Sequence, residues 1–337
     1  MMHPLILQYV GRVANTIRFP SLTLFAADDA VMEKARTLVS YFYYLAPFGA
    51  FLFFTGMWAT KQNFDPIWPL WWVQQFDLSY EATYNIVRFA FVICTLIGVL
   101  AHPYRIGRLL VFFAFWQAHA LESSFGGPNH QWYLWVYVAA FFVFLPNLWH
   151  QHDASRDTRR TFLLYVWAAQ AIMMLMYTMA GFHKLLGTAM QYLAGEIHGF
   201  SMHAFAYQIA DWIPKLQREA VLAPFIIAHP EWGWFPYVAI QFIQFFSLWV
   251  MVRMSLQKVW AVLLLVFHIG TFMVMGIEFN PLLILVIVMF FHSPFLGDQS
   301  IKRLLYDLPV VGQLLIYLPL LWEKVRGSVI RTTSRYS

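Results

Sequence analysis

Residues 161–184 read TFLLYVWAAQAIMMLMYTMAGFHK, and this stretch decides the fold. From Thr161 to Phe182 it contains no Asp, Glu, Lys, Arg or His. Coiled as a helix at about 1.5 Å per residue, roughly 20 apolar residues span the ~30 Å hydrocarbon core of a bilayer. Working outward, eight windows of this kind follow one another: 37–58, 82–101, 106–123, 131–149, 161–183, 234–252, 257–277 and 280–295. The last is short, and the third carries His119 and Glu122. The segments are rich in Phe, Leu and Met and too long for strands. Open sheet edges cannot sit in lipid, and no series of alternating segments of about ten residues suggests a barrel. The expected fold is all-α: a polytopic integral membrane helical bundle of about eight transmembrane helices.

The composition agrees. The chain has 337 residues, of which 60% are hydrophobic and only 12% charged, against about 25% charged in a soluble domain. So apolar a chain is not disordered. With Gly 17 and Cys 1 it is neither collagen-like nor a disulfide scaffold. The lone Cys94 falls inside the second window and reads as a packed, inert residue.

The net charge of +5 has a one-sided anatomy. With eight spans, one side holds Arg12, Arg18, Lys34, Arg36, Arg105, Arg108, Arg156, Arg159, Arg160, Arg253, Lys258 and the bases of the tail from Lys302 to Arg335. The other side holds only Lys61, Lys184, Lys215 and Arg218. Positive charge marks the cytoplasmic side, so both termini are expected there. The charge thus reports orientation, and no nucleic-acid partner is expected. No basic n-region precedes the apolar residues near the start, so a cleavable signal peptide is not expected. Three regions follow: an amphipathic inner-surface segment at 1–34, the bundle at 35–296, and a basic amphipathic cytoplasmic tail at 297–337. Within the bundle, 185–233 is expected to form an outer interfacial hairpin anchored by Trp212, Trp232 and Trp234.

Ionisable groups in or near spans are costly and mark candidate sites. Tyr177, Gly181 and Lys184 are spaced i, i+4 and i+7, on one helix face. Gly181 permits close approach of a neighbouring helix. Lys184 reads either as a snorkelling interfacial residue or as a desolvated amine able to serve as a base. Asn129 and His130 follow the turn Gly126-Gly127-Pro128 on the same outer side, and His268 lies within the seventh window. His119 and Glu122, at i, i+3, suit a pair or two ligands of a metal, which wants three or four. No metal is expected. His150 and His152 lie on the other side, and Arg88 is expected to pair with a carboxylate inside the bundle, Glu122 or Glu278. Nucleotide-binding, serine-hydrolase and thiol-redox motifs are absent.

Several fragments, in order, resemble the HTTM (horizontally transferred transmembrane) domain, the membrane part of vitamin K-dependent gamma-carboxylases. Ala180-Gly181-Phe182-His183-Lys184-Leu185 resembles its Ala-Gly-x-x-Lys-Leu signature. Gly199-Phe200-Ser201-Met202 resembles its Gly-aromatic-Ser-Met. Asn129-His130 with Tyr133-Leu134, Phe267-His268 with Ile269-Gly270, and Ser293-Pro294-Phe295 resemble further landmarks. The resemblance covers about residues 35–296.

The resemblance implies that Lys184 is the base that deprotonates reduced vitamin K or another menaquinol or hydroquinone. It implies that Asn129, His130 and His268 stand at the reaction centre, with Tyr177, Gly181, Ser201 and Met202 toward the cofactor. The family's reaction uses dioxygen to turn the quinol into a strong base, which removes the gamma proton of a peptide Glu before carbon dioxide adds. The partners so implied are membrane lipid, a lipid quinone, a peptide or protein Glu, carbon dioxide and dioxygen. The site is expected on the extracytoplasmic face of a bacterial cytoplasmic membrane. The chain departs from the family at His183, where the carboxylase has Lys, and no large extracytoplasmic β-rich region to grip a propeptide is expected. The alternative is a non-catalytic lipid- or peptide-binding accessory or maturation factor of the same fold. A transporter is a weaker third reading, because no internal repeat is visible.

Overall fold

The computed structural model describes residues 27–56, 64–126, 130–149, 154–216, 220–296, 300–312, 314 and 315. Among these there is no strand. The helices are α1 (Asp29–Gly56), α2 (Trp71–Gln75), α3 (Tyr80–Ala101), α4 (Arg105–Ser123), α5 (His130–Val143), α6 (Arg156–Leu193), α7 (Ala204–Leu216), α8 (Ala223–Ala228), α9 (Pro230–Phe245), α10 (Gln257–Met275), α11 (Asn280–Val286) and α12 (Ile301–Asp307).

Among the described residues, four helical segments are long and apolar enough to cross a membrane: Asp29–Phe54, Tyr80–Ala101, Arg156–Leu193 and Met254–Met275. The other windows form shorter or more polar helices, for physical reasons. α4 has 19 residues but carries Arg105, Arg108 and Glu122. α5 stops at Val143, two residues before Leu145, whose following Pro146 disfavours helical backbone. α9 gives way to a 3-10 turn at Ser247–Met251. α11 runs directly into one wide π turn at Ile287–Phe291. There the Gln170 side-chain amide donates to the Met289 carbonyl, an acceptor that a π turn can release from the helical ladder.

Local chemistry sets the ends. Ser79 and Ser155 accept Ala82 N–H and Thr158 N–H at 3.2 Å, capping α3 and α6. Gly276 stops α10 in the left-handed region, at φ 68°. α6 is longer than its apolar window: past Lys184 it continues to Leu193.

Rings fill the centre of the bundle. Phe42 of α1 meets Trp135 and Phe142 of α5 at 5.2 Å between centroids, and Phe115 of α4 stacks on Trp135 at 5.4 Å. The turn joining α3 to α4 is held by Arg108, which is 1% exposed. Its guanidinium donates to the carbonyls of His102 (2.9 Å), Pro103 (2.8 Å) and Leu145 (2.6 Å) and lies over Trp149. Near the end of the described residues, buried Asp307 fixes α12 by accepting from Ser255 Oγ and pairing with Arg303 at 2.7 Å.

Arg88 corrects an expectation. It is exposed on α3, and no ion pair joins it to a carboxylate among the described residues. Glu122 pairs instead within its own helix, with His119 Nδ1 at 3.7 Å. His150, His152, most of 1–34 and residues 316–337 lie outside the described residues.

Candidate functional site

A cavity of about 620 Å³ opens between α6, α9 and α10, roofed by α7 and reached by Leu134 of α5 and Leu282 of α11. Its walls are mainly apolar. The polar groups in them include Lys184, Gln244, Tyr177, Thr271 and Gln208, with no Asp or Glu among the described lining residues.

The register of α10 shows how one helix serves three environments. Ala261, Leu264, His268 and Met275 are buried in the protein. Val262, Val266, Ile269 and Met273 are exposed. Phe267, Gly270, Thr271 and Val274, at i, i+3, i+4 and i+7, face the cavity.

Opposite stands α6. Lys184 Nζ donates to Gln244 Oε1 of α9 at 2.9 Å and sits 5.9 Å from the centre of the Phe267 ring. Gly181 explains why Gln244 is within reach. A Cβ there would lie 2.5 Å from Phe245 N and 2.9 Å from Gln244 C, so only glycine lets the α9 backbone come this close. Two turns earlier, Tyr177 Oη and His268 Nε2 share a hydrogen bond of 2.7 Å. His268 is 3% exposed, and its Nδ1 has no hydrogen-bond partner among the described residues. The Phe279 ring lies 4.6 Å from the His268 ring.

The structure thus brings Lys184 and Tyr177 to one cavity, sets His268 behind Tyr177, and uses Gly181 for packing. His130 is the first residue of α5, one turn before cavity-lining Leu134. Asn129 lies outside the described residues. Ser201 and Met202 belong to the turn between α6 and α7 and do not line the cavity. Ser201 Oγ accepts His198 N–H at 3.2 Å, and Met202 is 51% exposed. No group of three or more His, Cys, Asp or Glu able to hold a metal is found among the described residues.

Gln244, Gln208, Thr271, Tyr237 and Trp212 also line the cavity, and sequence reading passed over them as site residues. The available signal was Gln241 and Gln244, two amides three residues apart in an otherwise apolar run. Gln244 finds Lys184, whereas neither amide atom of buried Gln241 has a hydrogen-bond partner among the described residues.

Comparison with family models, with curated proteins and with solved structures gives no match to this chain.

Proposed function

We propose that this is a membrane enzyme that binds a lipid hydroquinone in the α6–α9–α10 cavity and uses Lys184 as a base, in the manner of the vitamin K-dependent gamma-carboxylases it resembles. The observation that carries the reading is the Lys184 amine, set in apolar walls with a neutral amide as partner and no carboxylate among the described lining residues. An amine so placed suits proton abstraction from a weakly acidic hydroxyl. The volume lies in the range of about 300–1,000 Å³ usual for sites of small organic ligands, and the walls suit a ring with an apolar tail.

When bound, the hydroquinone supplies the electrons that reduce dioxygen, and with them the strong base needed to activate a peptide Glu toward carbon dioxide. The chain's own residues do the rest. Lys184 takes the hydroxyl proton. Gln244 holds the amine by one hydrogen bond, and Gly181 holds Gln244 in place. Tyr177, backed by His268, offers a second hydrogen-bonding group at the wall. Phe205, Gln208 and Trp212 of α7 roof the cavity and limit entry of water, which would quench a strong base. In this reading the bundle has eight spans with both termini cytoplasmic, and the cavity opens in the outer leaflet of a bacterial cytoplasmic membrane.

The test is oxygen-dependent epoxidation of a menaquinol or vitamin K hydroquinone by the purified protein. Lys184→Ala is expected to lower turnover by about a hundredfold or more, the usual contribution of a positioned base, while leaving ligand binding in place. A wild-type protein that turns over none of these hydroquinones overturns the reading. The second reading, a non-catalytic lipid- or peptide-binding accessory factor, is favoured by one observation: Ser201 and Met202 stand off the cavity.

A further inference from the structure

Two glycines near the cavity do opposite things. Gly181 is filled by its neighbour's backbone. Gly270 lines the cavity, yet a Cβ added there would meet no atom within 4 Å. Glycine is among the poorest helix formers, and in membrane helices it is ordinarily explained by close helix packing. That explanation is absent at Gly270, which leaves the empty space itself.

The position of that space is specific. On the helical wheel of α10, Gly270 is the cavity-facing residue nearest the exposed stripe of Val266 and Met273. The other cavity-lining residues of α10, Phe267, Thr271, Val274 and Met275, all project side chains. The wall therefore lacks a side chain at its outward edge, at a helix long and apolar enough to lie in a membrane.

We infer that Gly270 is a lateral doorway: a ligand with a polar ring head seated toward Lys184 passes its apolar tail out beside Gly270 into the surrounding bilayer, and side-chain size at 270 decides whether a tailed ligand can be held. The inference rests on the reading of a lipid-borne ligand in this cavity and is independent of turnover. It specifies the ligand class as an amphiphile whose tail stays in the bilayer while its head is enclosed.

The experiment is equilibrium binding to the full chain in detergent or nanodiscs. The probes are a naphthoquinone bearing an isoprenoid tail and the same ring without the tail. Gly270→Leu is expected to weaken the tailed probe about tenfold or more, the scale of an overpacked contact, and to leave the tailless ring within about twofold. Val266→Phe adds bulk to the exposed stripe of the same helix and is expected to change neither. Thermal unfolding of each variant reports whether it is folded. Equal binding of the tailed probe by wild type and Gly270→Leu overturns the doorway, as does equal loss of both probes or no binding by the wild type. Retained doorway behaviour with no turnover leaves the inference standing and removes the enzymatic reading. Turnover with no effect at Gly270 does the reverse.

Discussion

Gly181→Val is expected to destabilise the protein by about 2–4 kcal/mol and, on the proposed reading, to abolish hydroquinone turnover together with it. The scale is that of overpacking a tight contact, at its upper end. A valine Cβ would stand 2.5 Å from Phe245 N and 2.9 Å from Gln244 C. These are backbone atoms, so no rotamer change relieves the clash, and α6 and α9 must separate. Separation costs the packing that holds the helices together and withdraws Gln244 from Lys184, which it meets at 2.9 Å. Thermal unfolding and hydroquinone turnover, measured on Gly181→Ala and Gly181→Val, should fall in step with side-chain size. Gly270→Ala is the internal control: with nothing within 4 Å of its Cβ, it is expected to gain up to about 1 kcal/mol from helix propensity. A Gly181→Val protein as stable as wild type would mean that the close crossing is dispensable.

Arg108→Leu is expected to cost about 4 kcal/mol. The guanidinium is 1% exposed and satisfies the carbonyls of His102, Pro103 and Leu145 at 2.6–2.9 Å. Hydrogen bonds to a charged group contribute about 1.5–3 kcal/mol each, and a leucine would leave all three acceptors without their donor. Some of that loss is offset, because leucine does not bear the cost of burying a charge. Arg108→Lys is expected to recover less than half, because an ammonium cannot reproduce the planar fork that meets three acceptors. Denaturation midpoints in detergent measure both, and a difference below about 1 kcal/mol for Arg108→Leu would show that the α3–α4 turn is held by packing alone.

The helices were legible where an apolar run is bounded by polar residues. The window at 82–101 meets α3 within two residues, and that at 257–277 meets α10 within two. Hydropathy misjudged α6 because it registers a charge as an end. A helix ends where its backbone bonds are capped or broken, and Lys184 does neither, so α6 runs on to Leu193. In the site, the shared face of Tyr177, Gly181 and Lys184 is a matter of register within one helix, and it could be read. The partner of Lys184 could not: Gln244 is 60 residues away and arrives only through the pairing of α6 with α9. Arg88 shows the opposite error. A charge in an apolar window suggested an internal ion pair, but the wheel of α3 turns Arg88 to the outside. Ser201 and Met202 follow Lys184 closely in sequence, yet the end of α6 and a turn carry them away from the cavity.

α6 has mechanical consequences of its own. Its 38 residues contain no proline and extend about 57 Å as a single rod. One end is tethered where Arg159 meets Asp29 of α1. Lys184 lies about 38 Å further along. Between those two levels Phe162, Val166, Ala169, Met173, Tyr177 and Gly181 are all buried, so the height of Lys184 above the Arg159 end is fixed by packing along the whole rod and not by the ion pair alone.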